Sequence, residues 1–105
     1  MEKNFYQKVI ELIKKVPHGK VTTYGTIATM AGSPRSARIV GGILHAMTEK
    51  EDLPWQRIIN RDGYLSIKSG LIDLKKLQRQ LLEEEGVEVS DEFVVDLNRF
   101  GWWGK

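Results

Sequence analysis

The segment Pro54-Trp-Gln-Arg-Ile-Ile59 places a large aromatic ring beside the polar side chains of Gln56 and Arg57 in a chain that contains no cysteine. An indole offers a flat, polarizable surface and one N–H donor, but it has no usable nucleophile. Gln56 cannot accept a proton at neutral pH, so it cannot serve as a general base. The absence of cysteine also excludes disulfides, zinc–thiolate sites and any thiol nucleophile. The segment is therefore suited to holding a flat group and unsuited to transfer chemistry.

A second group of residues lies on a predicted helix that carries Arg38 and the small residues Ala37, Gly41 and Gly42. A helix approaches a duplex closely only where its side chains are small. Each interior glycine costs a helix about 1 kcal/mol relative to alanine, which favours a close-approach role. Tight packing between helices is the alternative explanation. Arg38 could be a solvated or phosphate-facing charge, or its planar guanidinium could stack between bases.

The helical elements around these residues have clear local signals. Apolar residues at helical spacing predict a first amphipathic helix from the cap Asn4 to Val16. Thr22 or Thr23 can cap a short helix over residues 24–31 that ends at Gly32. Ser33-Pro34 predicts the start of the next helix, with Ser33 as N-cap and Pro34 in the first turn. Two helices joined by a tight turn indicate a helix-turn-helix, although helical hairpins also pack in proteins that never meet nucleic acid.

The second half of the chain predicts a small β element and one further helix. The turn Asn60-Arg-Asp-Gly63, between apolar 54–59 and the near-alternating 64–67, predicts a β-hairpin after the charged loop 49–52. Asp73 is a candidate cap for a helix that ends at Gly86, and its predicted apolar face consists of Leu74, Leu77, Leu81 and Leu82. The apolar tail 87–105 is expected to dock. We therefore expect a mainly α fold with a small β-hairpin, forming a winged-helix-like helix-turn-helix DNA-binding domain.

Size and composition narrow the possible functions. The 105 residues (12.0 kDa) suffice for one domain, 1–105, and the net charge of +2 permits nucleic-acid binding without requiring it. His18 and His45 have no ligand-like neighbours, so we expect no metal and no cofactor. No apolar run approaches the ~20 residues of a membrane span and no signal peptide is evident, so a soluble, intracellular protein is expected.

Four stretches carry a resemblance to a known family. They are Lys20-Val-Thr-Thr-Tyr-Gly-Thr-Ile-Ala28, Gly32-Ser-Pro-Arg-Ser-Ala-Arg-Ile-Val-Gly-Gly42, Leu53-Pro-Trp-Gln-Arg-Ile-Ile-Asn60 and Leu82-Glu-Glu-Glu-Gly86. In one register over residues 5–86, they resemble the DNA-binding domain of O6-alkylguanine alkyltransferases. Trp55 stands where that family places its acceptor cysteine, and Gln56 stands where it places the activating histidine. The chain thus resembles the alkyltransferase-like relatives that lack the acceptor. Glu85 keeps the family's Glu-Gly position but has no base to orient.

The resemblance implies roles for individual residues. It places the second helix of the motif in the minor groove, inserts Arg38 into the base stack, and sets Tyr24 against the 3′ phosphate of a nucleotide that rotates out of the duplex. The implied lesion pocket consists of Trp55, Tyr24, Lys68 and Arg57. Packing in the core is the alternative explanation for Trp55 and for Tyr24. Arg57 could support this pocket through hydrogen bonds to backbone. The implied DNA-binding residues are Arg38, Tyr24, Ser36, Ala37, Gly41, Arg35 and Thr23.

The function implied by the resemblance is a non-enzymatic sensor that binds O6-alkylguanine in double-stranded DNA without alkyl transfer and signals to nucleotide-excision-repair proteins. A monomer in the cytoplasm, associated with the nucleoid if bacterial, is expected. One alternative is a sequence-preferring helix-turn-helix transcription regulator. The small residues on the second helix of the motif argue against it. A base-removing glycosylase is another, but it would need a catalytic Asp or Lys that the motif does not provide.

Overall fold

The computed structural model describes residues 3–48, 50–67 and 74–104. In these ranges five α-helices, one 3₁₀ helix and two short strands follow one another along the chain. Their order is α1 (Phe5–Lys15), β1 (Thr22–Thr23), α2 (Tyr24–Met30), α3 (Ala37–Met47), the 3₁₀ helix (Trp55–Arg57), β2 (Ile58–Ile59), α4 (Leu74–Glu84) and α5 (Leu97–Phe100).

Helix α1 confirms its predicted ends. The Asn4 side chain accepts a hydrogen bond from the Gln7 backbone N–H at 2.8 Å. The Gln7 side chain in turn accepts one from the Asn4 backbone N–H, which completes a capping box. Val9 and Ile13 on its inner face are fully buried. The local signals that start and stop this helix were therefore sufficient to predict it.

The helix-turn-helix is present, but its second helix begins later than predicted. Thr23 caps α2 by accepting from the Thr26 N–H at 3.0 Å, and Gly32 ends it with a φ of 96°. Ser33 and Pro34 do not open α3, so that prediction was wrong. Pro34 instead occupies a turn in which the Ser36 N–H donates to the Ser33 carbonyl at 3.0 Å, and α3 starts at Ala37. Proline is compatible with the second position of such a turn, which competes with its use in a helix.

The two strands pair in parallel, so the predicted β-hairpin was wrong. Thr22 is in register with Ile58, and Thr23 with Ile59. The turn 60–63 does form, because the Gly63 N–H donates to the Asn60 carbonyl at 3.0 Å. The chain after the turn pairs with the tail instead, through an antiparallel bridge between Tyr64 and Val94. The reason is burial: Ile58 and Ile59 are both interior, as expected of a strand covered on both faces.

This short ladder lies between two apolar clusters. Successive side chains of a strand point to opposite faces. Ile58 packs among the buried residues of α1, α2 and α3, whereas Ile59 packs with Val21, Leu65 and Leu82. The ladder thus joins the helical layer that carries the helix-turn-helix to the layer formed by α4 and the tail.

Helix α4 and the tail complete the second cluster. Leu82 is buried as predicted, but Leu77 is 37% exposed and the other buried position of α4 is Gln78. The candidate cap Asp73 lies outside the described residues. The tail docks as predicted, because Val95 and Phe100 are buried and the Trp102 N–H donates to the Val21 carbonyl at 2.7 Å. Among the described helices, none has the length and apolar character needed to cross a membrane.

Candidate nucleic-acid interface

Trp55 opens the 3₁₀ helix Trp55–Arg57, here called the Trp55 turn, at the edge of a surface cavity of about 560 Å³. The cavity is lined by residues 52–57, with Lys14 contributed by α1, Thr48 from the end of α3 and Leu81 from α4. The ring of Trp55 is partly buried against the helical core cluster. The Trp55 ring therefore borders the cavity while part of it packs against the core.

The Glu85 carboxylate accepts hydrogen bonds from the Trp55 turn and from the loop that follows α1. It accepts from the Gln56 amide at 2.8 Å, from the Arg57 Nε at 2.9 Å, and from the Gly19 backbone N–H at 2.8 Å. The Arg57 guanidinium donates further to the Val16 carbonyl at 2.9 Å. Sequence reasoning left Glu85 without a group to orient. The structure shows instead that it joins the Trp55 turn to the loop that follows α1.

The balance of forces on Glu85 favours its charged form. Burial, which leaves 7% of the side chain exposed, opposes ionisation. The hydrogen bonds from Arg57, Gly19 and Gln56, with the charge of Arg57, outweigh burial and lower the pKa of Glu85. The carboxylate is thus a permanent acceptor at neutral pH. The Gln56 amide that donates to this carboxylate cannot take up a proton at neutral pH, so the pair makes a structural hydrogen bond.

Tyr24, the first residue of α2, does not line this cavity among the described residues. It packs against the same core cluster as Trp55 and is half-buried. Burial raises the pKa of Tyr24, so its hydroxyl stays protonated at neutral pH and remains a hydrogen-bond donor. Of the other predicted pocket residues, Trp55 and Arg57 line the cavity, and Lys68 lies outside the described residues.

The outward face of α3 carries Arg38, Gly42 and His45, all exposed and spaced three or four residues apart. Arg38 makes no hydrogen bond or ion pair with any residue that the structure describes. A guanidinium without an internal partner is available to a ligand. Ile39, on the same helix, is 57% exposed, and sequence reasoning missed it because isoleucine ordinarily indicates an inward face.

The two glycines of α3 are not required by internal packing. A Cβ added at Gly42 would meet nothing within 4 Å, and one added at Gly41 would sit 3.8 Å from the Tyr24 ring, an ordinary contact. Tight packing against other helices therefore does not explain either glycine. The close-approach explanation is the one that the geometry favours, most clearly at Gly42.

The remaining predicted DNA-binding residues divide into three groups. Arg35 is exposed, and Ala37 and Gly41 are half-exposed on α3. Ser36 is half-buried, with its hydroxyl 2.6 Å from that of Ser33. Thr23 is only 5% exposed and its hydroxyl is committed to capping α2, so its side chain is not accessible to DNA. A helix cap at the end of a buried strand lies in the interior, so a DNA contact of Thr23 would come from its backbone.

Comparison with known proteins identifies the family. Residues 4–87 match the model of the 6-O-methylguanine DNA methyltransferase, DNA binding domain. The chain belongs to this family. Its sequence has no cysteine, so it lacks the thiol on which a cysteine methyltransferase depends.

Three individual proteins are similar to the chain over most of its length. The chain is 46% identical to the DNA base-flipping protein of Escherichia coli (strain K12), over 96% of this chain and 76% of the relative. It superposes on alkyltransferase-like protein 1 of Schizosaccharomyces pombe, solved in complex with damaged DNA containing O6-carboxymethylguanine, with a TM-score of 0.84, 37% identity and coverage of 93% and 94%. The DNA complex of the Mycobacterium tuberculosis alkyltransferase matches with a TM-score of 0.62 and 31% identity, over 81% of this chain and 51% of that one.

The Glu85 network generates a prediction about stability and pH. Because the pKa of Glu85 is lower in the folded than in the unfolded chain, the carboxylate stabilises the fold at pH values above the ordinary glutamate pKa of about 4.3. That contribution is lost as the pH falls through the lowered folded-state value. Glu85→Gln should reduce the free energy of unfolding at pH 7 by about 3 kcal/mol, because it leaves Arg57 without its counter-charge. Urea denaturation between pH 7 and pH 3 should show this difference shrinking in acid.

Glu84→Gln is the matched control, since it removes the same charge from an exposed neighbour. It should change stability by less than about 0.5 kcal/mol at every pH. A Glu85→Gln difference that stays constant down to pH 3 would contradict the assignment of a charged, hydrogen-bonded Glu85.

The open space around Gly42 generates a second prediction. Gly42→Ala should raise the free energy of unfolding by about 1 kcal/mol, because alanine is the better helix former and its methyl group meets no neighbour. The same methyl group should hold α3 away from a duplex and weaken DNA binding by about tenfold, measured by fluorescence anisotropy. Gln80→Ala, at an exposed position of α4, should leave DNA affinity unchanged. Unaltered affinity in Gly42→Ala would mean that this face of α3 does not meet DNA.

Proposed function

We propose that this protein is a non-enzymatic DNA-damage sensor that binds O6-alkylguanine in double-stranded DNA and holds the base against Trp55 without alkyl transfer. The observation that carries the proposal is the Trp55 turn itself. An aromatic ring stands at the edge of a cavity, fixed by the buried Glu85 network, in a family whose namesake reaction needs a cysteine. In this proposal the arrangement can still bind the base, but the cysteine sulfur that would accept the alkyl group is absent.

The cavity supports the binding of a flat, alkylated base. A purine and its alkyl group can pack against the indole face, and the indole N–H can donate one hydrogen bond. The other walls combine apolar Leu53 and Leu81 with charged Lys14 and Asp52. Lys14 is held at 2.7 Å by Glu51, so its charge is balanced in the free protein. The proposal assigns Trp55 and Arg57 to this cavity, with Arg57 acting through Glu85 and backbone. Tyr24, which does not line the cavity, and Lys68 are assigned to the lesion pocket on the family resemblance alone.

The helix-turn-helix supports an approach to the duplex that does not depend on sequence. The small, open position at Gly42 suits entry of α3 into the minor groove, whose base code is degenerate. The guanidinium of Arg38, which has no partner among the residues that the structure describes, can fill the stack that an extruded nucleotide leaves. Tyr24, a neutral donor at the start of α2, can contact the backbone of the rotated nucleotide. The base flipping named for the E. coli relative is the mechanism proposed for this chain.

The wider setting follows from this function. We expect one domain over residues 1–105, acting as a monomer in the cytoplasm or on the nucleoid, where DNA is available. A protein that binds a lesion without repairing it requires another activity to remove the lesion, and we propose that nucleotide-excision-repair proteins supply it.

One experiment tests the function directly. Matched duplexes with guanine, O6-methylguanine or a bulkier O6-alkylguanine should be titrated at fixed ionic strength, since phosphate contacts make affinity salt-dependent. Both lesions should bind at least about tenfold more tightly than guanine, and undamaged sequences should compete almost equally. Intact-protein mass spectrometry after prolonged incubation should show no added methyl group. A preference for one undamaged sequence would favour a transcription regulator, and a stoichiometric methyl adduct would overturn the non-enzymatic assignment.

Arg38 provides the test of flipping. Arg38→Ala should lower lesion affinity and the fluorescence of a base analogue that reports unstacking, while Arg38→Lys should restore only part of both, because an ammonium cannot stack as a plane. Arg35→Ala is the matched control on an exposed arginine nearby. It should weaken damaged and undamaged duplexes alike and reduce the salt slope by about one. If Arg38→Ala behaves like Arg35→Ala, then Arg38 is a phosphate contact and not the inserted residue.

A further inference from the structure

Gln78 occupies a position in α4 where the apolar pattern calls for a leucine. Its side chain is 2% exposed, and it is one of the two buried residues of the helix, with Leu82. Burying an amide without hydrogen bonds is strongly unfavourable, so a buried glutamine indicates specific partners. The sequence alone did not reveal its burial, because glutamine is ordinarily an exposed residue.

The partners of Gln78 are two carbonyls of the segment that carries Trp55. Its Nε2 donates to the Gln56 carbonyl at 3.0 Å and to the Ile58 carbonyl at 3.2 Å. Only the NH₂ side of an amide can donate to two carbonyls at once. These carbonyls flank Arg57, so the amide grips the Trp55 turn where it passes into β2.

A role as core filler does not account for this residue. The Gln78 Oε1 is buried and has no hydrogen-bond partner among the described residues. An unpaired buried acceptor is unfavourable, and a methionine of similar volume would fill the same space without it. A methionine would lack the hydrogen bonds to the carbonyls of Gln56 and Ile58.

We infer that Gln78 is a positioning residue that fixes the orientation of Trp55 and so sets the discrimination between O6-alkylguanine and guanine. This inference rests on the proposed function. Gln78 and Glu85 are seven residues apart, two helical turns, and therefore approach the Trp55 turn from the same side of α4. Glu85 binds the side chains of the turn, and Gln78 binds its backbone. Together they hold the backbone from which the indole projects.

Gln78→Met tests the inference, because methionine keeps the volume and removes both donors. Affinity for an O6-methylguanine duplex should fall by about tenfold, while affinity for the matched guanine duplex should change by less than about twofold. Hydrogen exchange supplies a measurement that needs no DNA. The Arg57 and Ile58 amides, which donate to Pro54 and Trp55 in the turn, should exchange faster, and the amides of α1 should not.

Leu82→Val is the matched control, a fully buried change on the same helix in the cluster away from Trp55. It should lower the unfolding midpoint without changing the ratio of the two affinities. If Gln78→Met is poorly folded, Gln78→Asn retains a buried amide but shortens its reach, and it should show the same selective loss.

The outcomes separate the inference from the function on which it rests. If the wild-type protein does not prefer the lesion, the proposed function fails, and unchanged turn exchange in Gln78→Met would overturn the positioning role independently. If the wild type prefers the lesion and Gln78→Met retains that preference, the inference is overturned and the proposed function stands. A selectivity loss no larger than that of Leu82→Val would likewise reduce Gln78 to a core residue.

Discussion

The buried carboxylate of Glu85 is the interaction on which the site depends. One side chain beyond the end of α4 accepts from the loop after α1 and from two consecutive residues of the Trp55 turn. Such a group is costly to bury unless every lone pair is used, and here charge-assisted bonds from Arg57 meet that requirement. These hydrogen bonds connect three segments that are distant in sequence: the loop after α1, the Trp55 turn and the end of α4. In a cysteine transferase, a carboxylate with a histidine partner could serve proton transfer. With Gln56 as its partner, it serves geometry alone.

The parts of the fold that could be predicted from the sequence are those governed by neighbouring residues. Asn4 with Gln7, Thr23 with Thr26, and Gly32 each fix a helix end within a few positions, and all were predictable. The strand partner of Ile58 lies 36 residues earlier in the chain, so the local turn at 60–63 suggested the wrong pairing. Gln78 was missed because its two carbonyl partners are remote in sequence and glutamine is ordinarily an exposed residue.

The candidate site divides in the same way. Family resemblance identified Trp55, Arg38 and Tyr24 as the residues to examine, and the structure supplied the environment of each. It placed Thr23 in the interior and gave Glu85 three donors. An exposed Ile39 beside Arg38 could not be foreseen, since only the packing of α3 decides which apolar residue is left outside.

The two-residue ladder between β1 and β2 has a consequence for the entropy of binding. Tyr24 follows β1 directly, and the Trp55 turn runs directly into β2, so the paired strands connect the start of α2 to the Trp55 turn. The paired backbones act as a rigid joint between them. In the proposed function, the groove-binding and base-holding surfaces are then one preorganised unit, so ordering one of them does not have to be followed by ordering the other. The conformational cost of recognition then falls mainly on the DNA, which is the partner that a damaged base has already weakened.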